Sequence, residues 1–156
     1  MANQFDFISA SDKPALILIN NPEWVNYTKA VLVELGYKVH AVDTHEEFLQ
    51  RFIEVQYQVI LIDESFGAPL PNATLQALQH MPMSQRRHAV MVLVGSSYET
   101  LNSLQAFQQS VHAVINYNEI NLLGQLVQKV VSENDLFLRA YRDTAERVAQ
   151  GRIRAT

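Results

Sequence analysis

Short apolar runs alternate with helix-patterned segments along most of the chain. Residues 15–19, 37–42, 59–62, 89–94 and 111–115 are the apolar runs. Each is four to six residues long; 15–19, 59–62 and 89–94 have no polar member, as strands covered on both faces do, while 37–42 is interrupted by Lys38 and His40 and 111–115 by His112. Asn21-Pro22-Glu23 follows the first run and reads as a helix start: a side-chain cap, a proline at the first helical position, and an acid at the positive end of the helix dipole. Trp24, Tyr27, Ala30, Val31 and Leu35 then recur at helical spacing, and Gly36 ends the helix. Thr44-His45-Glu46-Glu47 reads as a capping box opening a helix with Phe48, Leu49, Phe52 and Ile53. A loop at 64–72, with Gly67, Pro69 and Pro71, leads to a short helix at 73–80 and a polar connection at 81–88. Ser96-Ser97-Tyr98-Glu99 reads as another capping box, with a helix running to about residue 109, and Asn118 caps the last helix.

Five strand–helix units in strict alternation predict an α/β fold: a doubly wound, five-stranded parallel sheet of flavodoxin-like (βα)5 type, with an extended C-terminal helix. The expected organisation is a flexible arm over 1–12, a domain over 13–132 and a helical extension over 133–156.

The extension carries its own pattern. Leu123, Val127, Val130, Asn134, Phe137, Tyr141, Thr144 and Val148 fall at alternating steps of four and three, a heptad-like seam with Asn134 and Thr144 as its polar members. Ser132-Glu133-Asn134-Asp135 also resembles a helix start, so a break with a separate helix packed back on the domain is the alternative. Leu136, Phe137, Leu138 and Tyr141 are too apolar to leave in water, which predicts a homodimer or a partner along this helix, or a groove of its own domain beneath it.

Charge sharpens the contrast between body and extension. The net charge of −4 is the sum of an acidic body, with 7 basic and 14 acidic residues over 1–138, and a basic end, with five arginines against Asp143 and Glu146 over 139–156. An acidic body argues against nucleic acid as a partner. With 156 residues, 48% of them hydrophobic, the chain is long enough for one buried core. No apolar run approaches the roughly 20 residues of a membrane span. The first residues lack the charge pattern of a secretion signal, and there is no cysteine, so the expected location is the cytoplasm.

Several chemistries are poorly served. The loop after the first strand, Asn20-Asn21-Pro22, has no glycine, and Pro22 has no N–H to offer a phosphate, so no nucleotide or flavin cofactor is expected. His40, His45, His80, His88 and His112 form no metal-ligand spacing, and no metal is expected. Val94-Gly95-Ser96-Ser97-Tyr98 lacks the second glycine of a nucleophile elbow.

Lys13-Pro14-Ala15-Leu16-Ile17-Leu18-Ile19, Leu35-Gly36-Tyr37-Lys38-Val39 and Val59-Ile60-Leu61-Ile62-Asp63, in that order, resemble response-regulator receiver domains over residues 13–132. The resemblance implies a phosphorylation site: two carboxylates after the first strand holding Mg²⁺, a phospho-accepting aspartate after the third, a Ser or Thr after the fourth and a Lys after the fifth. Asp63 stands at the accepting position. Asn20 and Asn21 stand near the acidic pair, Gly95 and Ser96 at the hydroxyl, and Tyr117 at the lysine. Asparagine gives a hard cation no charge. An aspartate without metal or lysine lacks what stabilises phosphoryl transfer, so Asp63 is expected to be an exposed acid in a polar loop. The resemblance thus implies a degenerate pseudo-receiver, not an enzyme, that docks a protein partner in signalling independently of phosphorylation. Its expected surface comprises Tyr98, Leu101, Gln105, Tyr117, Phe137 and Tyr141. Two alternatives stand beside it: an atypical phospho-acceptor using Asp63 with Asn20 and Ser96, and a small-ligand sensor at the strand C-terminal ends.

Overall fold

Strand β1 (Pro14–Leu18) is apolar and buried at all of its positions, which requires a covering layer on each side of it. Those layers come from the segments around it. The computed structural model describes residues 12–67 and 72–151; the arm expected over 1–12 falls, Asp12 apart, outside them. In chain order the remaining elements are α1 (Pro22–Glu34), β2 (Lys38–Val42), α2 (His45–Glu54), β3 (Val59–Asp63), α3 (Ala73–His80), α4 (Met83–Arg86), β4 (Val90–Gly95), α5 (Ser103–Gln108), β5 (Ala113–Asn116), a 3-10 segment (Tyr117–Leu122) and α6 (Leu123–Ala149).

The strands form one parallel sheet in the order β2-β1-β3-β4-β5. Alternate strand residues feed two cores. Ala15, Ile17, Leu61 and Val92 pack with Leu32 of α1 and with Leu123, Val127 and Val130 of α6. Leu16, Leu18, Ile60 and Leu93 face the opposite way, onto Phe48 of α2, Leu78 of α3 and Ala106 of α5. The expected doubly wound five-stranded architecture is therefore present. The strand order reverses between β1 and β3, which brings the loops after those strands together at the C-terminal edge, where sheets of this kind place their sites.

The helix starts follow the capping chemistry in two of the expected places. Asn21 accepts from the Glu23 N–H at 2.9 Å, and Thr44 accepts from the Glu47 N–H at 3.1 Å. The other two places differ: Asn118 does not cap the last helix but donates its N–H to Asn116 at 2.9 Å, at the start of the 3-10 segment, and α6 begins at Leu123 without a side-chain cap. Residues 96–102 are turns rather than the first turns of a helix, and α5 begins only at Ser103, capped by Asn102, which accepts from the Gln105 N–H at 2.9 Å. The cause is long-range. Ser96 and Ser97 bond to a side chain from another loop, described below, and do not cap. Leu101 in this turn adopts φ 63°, a left-handed conformation costly for a branched residue, held as its N–H donates to the Val114 carbonyl at 2.9 Å.

The connection at 81–88 holds α4 and a buried cation. The Arg86 guanidinium donates to the carbonyls of Leu78 and Ser110, tying the ends of α3 and α5 together. At the C-terminus α6 runs unbroken through Ser132–Asp135, so one helix of 27 residues crosses the expected boundary between domain and extension.

Candidate functional site

The site is built where β1, β3, β4 and β5 end. Asp63 is the last residue of β3 and is paired in register with Val94. It is only 4% exposed, which corrects the expectation of an exposed acid in a polar loop. The reason is a set of donors that converge on one oxygen. Asp63 Oδ1 accepts from the Ser65 N–H at 2.8 Å, from the Ser65 hydroxyl at 2.9 Å, and from the Tyr117 hydroxyl. Three donors on one oxygen offset much of the cost of burying the carboxylate.

Tyr117 arrives from just beyond β5. Its ring leans on Trp24 of α1, with centroids 5.4 Å apart, and its hydroxyl reaches across the strand ends to Asp63. Burial, together with the bond to the Asp63 carboxylate, pushes the Tyr117 phenol well above its ordinary pKa, so it remains a donor. Where the resemblance calls for a cationic lysine, the chain thus supplies a neutral hydroxyl already bonded to the aspartate.

The neighbouring residue, Glu64, was not singled out from the sequence. Its N–H donates to the Val94 carbonyl at 2.8 Å, so its side chain lies over the end of β4. The carboxylate accepts from the Ser96 N–H at 2.9 Å, the Ser96 hydroxyl at 3.3 Å and the Ser97 hydroxyl at 3.1 Å. It fits only because residue 95 is glycine: a Cβ there would lie 2.4 Å from the Glu64 carboxyl carbon. The hydroxyl at the expected phosphoryl-binding position is thus held by an internal carboxylate. The one sequence signal was Gly95 beside a pair of serines, with Glu64 immediately after the aspartate.

Asn20 and Asn21 are occupied as well. The Asn20 amide donates to the Asp43 carbonyl at 2.8 Å, and its oxygen accepts from the Gly67 N–H at 2.7 Å. Asn20 therefore braces the loops after β2 and β3, while the Asn21 oxygen is the cap of α1. Among the described residues, no cluster of three or more His, Asp or Glu is arranged to hold a metal ion.

The residues expected to form a docking surface divide by exposure. Leu101, Phe137 and Tyr141 are exposed. Tyr98 is half-buried against the core that contains Phe48 and Leu78, and burial followed by the charge of Glu64 raises its pKa. Gln105 braces the turn, its side-chain oxygen accepting from the Glu99 N–H at 2.7 Å. Tyr117 faces Asp63. Asn116 joins these parts: its amide donates to the Ser96 and Tyr98 carbonyls at 3.3 and 2.8 Å. Among the described residues, no helix is long and apolar enough to cross a membrane.

No family model matches the chain, and no curated protein does. Solved structures do. A signal receiver domain from Vibrio parahaemolyticus superposes with a TM-score of 0.64 at 11% identity, covering 83% of this chain and 97% of its own. A response regulator from Thermotoga maritima gives 0.61 at 12%, covering 78% and 98%. A protein described as pilus assembly-related, from Burkholderia pseudomallei K96243, gives 0.59 at 17%, covering 81% and 95%. The strand order, the two-sided helix packing and these superpositions agree that the chain has the receiver-domain fold of response regulators.

Proposed function

We propose that this chain is a pseudo-receiver: a signalling module that docks a protein partner without being phosphorylated and without catalysing a reaction. One observation carries the reading. Asp63 is buried, and its Oδ1 already takes three donors from Ser65 and Tyr117. An aspartate that attacks phosphorus needs a metal ion to gather charge and a cation to receive the phosphoryl group, and Asn20, Asn21 and Tyr117 bring no charge to the positions where the resemblance calls for them. Glu64 adds to this by holding Ser96 and Ser97, so the loop after β4 keeps one shape through an internal carboxylate. The docking surface is the face of α5, β5 and α6. On it Leu101, Leu104 and Phe107 are exposed around α5, the last 81%, and Phe137 and Tyr141 are exposed on α6.

The test is a titration of ¹⁵N-labelled protein with Mg²⁺ and beryllofluoride, a mimic of aspartyl phosphate. Amide signals of Asp63, Asn20 and Ser96 are expected to stay in place. Saturable shifts that vanish in Asp63→Asn would restore the phospho-acceptor reading.

A cleft of about 300 Å³ between the loops after β2 and β3, lined by Asp43, His45, Phe66 and Thr74, favours a second reading as a small-ligand sensor. A thermal-shift screen of nucleotides, flavins and small acids without a hit would remove it.

A further inference from the structure

The inner half of α6 buries its seam and the outer half does not. Leu123, Val127 and Val130 lie in the core. Further along the same stripe, Phe137 is 62% exposed, Tyr141 45% and Val148 43%. The Arg87 guanidinium, 4.3 Å from the Tyr141 ring centroid, covers only part of that ring. Between the two halves is an open cleft of about 330 Å³, lined by Val130, Glu133, Asn134 and Phe137 of α6 with Met83 and Arg87 beside them. The α6 residues of this cleft are three successive seam positions and the flanking position before one of them. The cleft, closed on its other side by Met83, Arg87 and His112, has room for an apolar side chain from another helix laid along the seam.

We infer that the occupant is the α6 of a second copy of this chain, running antiparallel. The inference rests on the reading of the chain as a docking module and names its partner. Three features select this occupant. First, the seam continues in heptad register from Val130 through Phe137, Tyr141 and Thr144 to Val148, as a helix pairing with a helix requires. Second, an antiparallel pair centred near Ala140 sets Phe137 of one copy against Tyr141 of the other and brings Val148 into the partner's cleft at Val130. The flanking residues then match: Glu133 of each copy, which also pairs with Lys129 of its own helix, meets Arg147 of the other, twice by symmetry. Third, charge opposes the parallel arrangement. The end of the chain from 139 to 156 carries five arginines against two acids, and the body before it carries 14 acids against 7 bases. Along the described helix, parallel pairing sets Arg139, Arg142 and Arg147 each beside its own copy, whereas antiparallel pairing brings Arg147 to Glu133.

The chain has no cysteine, so single introduced cysteines report orientation cleanly. Ala140→Cys and Thr144→Cys both lie on the fully exposed part of α6 and leave the apolar seam intact. In the antiparallel pair the two copies of residue 140 are neighbours at the crossing. The two copies of residue 144 are then separated by about 15 Å along the axis, ten residues at the helical rise. A short bis-maleimide should therefore link Ala140→Cys into dimers and leave Thr144→Cys unlinked. Sedimentation equilibrium of the unaltered chain should give twice the monomer mass. Glu133→Arg and Arg147→Glu should each weaken the dimer about tenfold, and the double exchange should restore it. Linking at 144 but not 140 would mean a parallel pair and overturn the inference. So would a monomer mass at every concentration. Neither result touches the pseudo-receiver reading, which the beryllofluoride titration decides separately.

Discussion

At the C-terminal edge of the sheet, polar side chains end in bonds to their own chain. Asp63 is held by Ser65 and Tyr117, Glu64 by Ser96 and Ser97, Asn20 by Asp43 and Gly67. Past Leu138, α6 is the reverse: each residue from Arg139 to Ala149 is exposed, Tyr141 with Arg87 over part of its ring. The first region lies where the receiver fold places its site, and here Asp63 Oδ1, both Glu64 oxygens and the Asn20 amide already hold partners within the chain. The second is a plain helix surface with an exposed apolar stripe. A satisfied polar cluster gains little from a new ligand, because each new bond must displace an existing one. An unsatisfied apolar stripe gains from any cover. The contrast moves the expected recognition away from the strand ends and onto the helix.

The largest expected effect tests the closed region. Asp63→Ala removes the acceptor of three part-buried hydrogen bonds and should destabilise the fold by about 3–4 kcal/mol in urea unfolding. Asp63→Asn retains an acceptor oxygen and should cost less than half as much. If Asp63→Ala were neutral, the cluster would not be structural, and the aspartate would be available for another role.

Next comes acid. His40 is buried on β2 with Nδ1 2.9 Å from the Tyr57 hydroxyl. Burial, then the positive charges of Arg51, Lys38 and Lys29, lower its pKa from 6.5 to about 4. Between those values the unfolded chain binds a proton that the native chain refuses. Stability is therefore complete above about pH 6.5, falls as pH drops toward 4, and levels off below, with a total loss of up to about 3 kcal/mol. Burial lowers His88 and His112 in the same direction. Urea unfolding from pH 7 to 4, with His40→Phe or His40→Gln flattening the slope, checks it. An unchanged slope would assign the acid sensitivity to other groups.

A smaller effect belongs to Gly95→Ala. The added methyl would collide with the Glu64 carboxyl group, which sits at the end of a flexible side chain and can swing away. The cost should be that of the bonds to Ser96 and Ser97, about 1–2 kcal/mol, and Glu64→Ala should match it. The two changes combined should cost no more than either alone, since both break the same contact. Additive losses in the double variant would show that Gly95 is needed for something other than Glu64.

What the sequence disclosed follows the range of the interactions involved. The five strands and the caps at Asn21 and Thr44 depend on neighbours within a few residues, and they were legible to within two residues at most strand ends. The misread start at Ser96 depended on Glu64, 32 positions earlier. The burial of Asp63 depended on Tyr117, 54 positions later. Arg86, in a segment that reads as a polar connection, is buried because two helix ends converge on it. Substitutions at the phosphorylation positions were visible as missing carboxylates and a missing lysine. The bonds that replaced them were not, because no local pattern marks a tyrosine that reaches across three strands.

The smallest expected effect on stability is on the open side. Phe137→Ser and Tyr141→Ser alter residues that are 62% and 45% exposed, on a helix whose anchoring residues are Leu123, Leu126, Val127, Val130 and Leu138. Measured in dilute protein, where copies are apart, each should shift unfolding by no more than about 0.5 kcal/mol. A core position such as Val127→Ala, where methyl groups leave a packed interior, should lose about 2 kcal/mol or more under the same conditions. The same serine substitutions should act at high concentration, where they remove the central layer of the proposed pair and return the sedimenting species to monomer. A residue that matters only when molecules meet is a contact residue, and one that matters in dilution is part of the fold. If Phe137→Ser unfolded the isolated chain as far as Val127→Ala does, α6 would be packed along its whole length, and the contrast between a closed strand edge and an open helix would collapse.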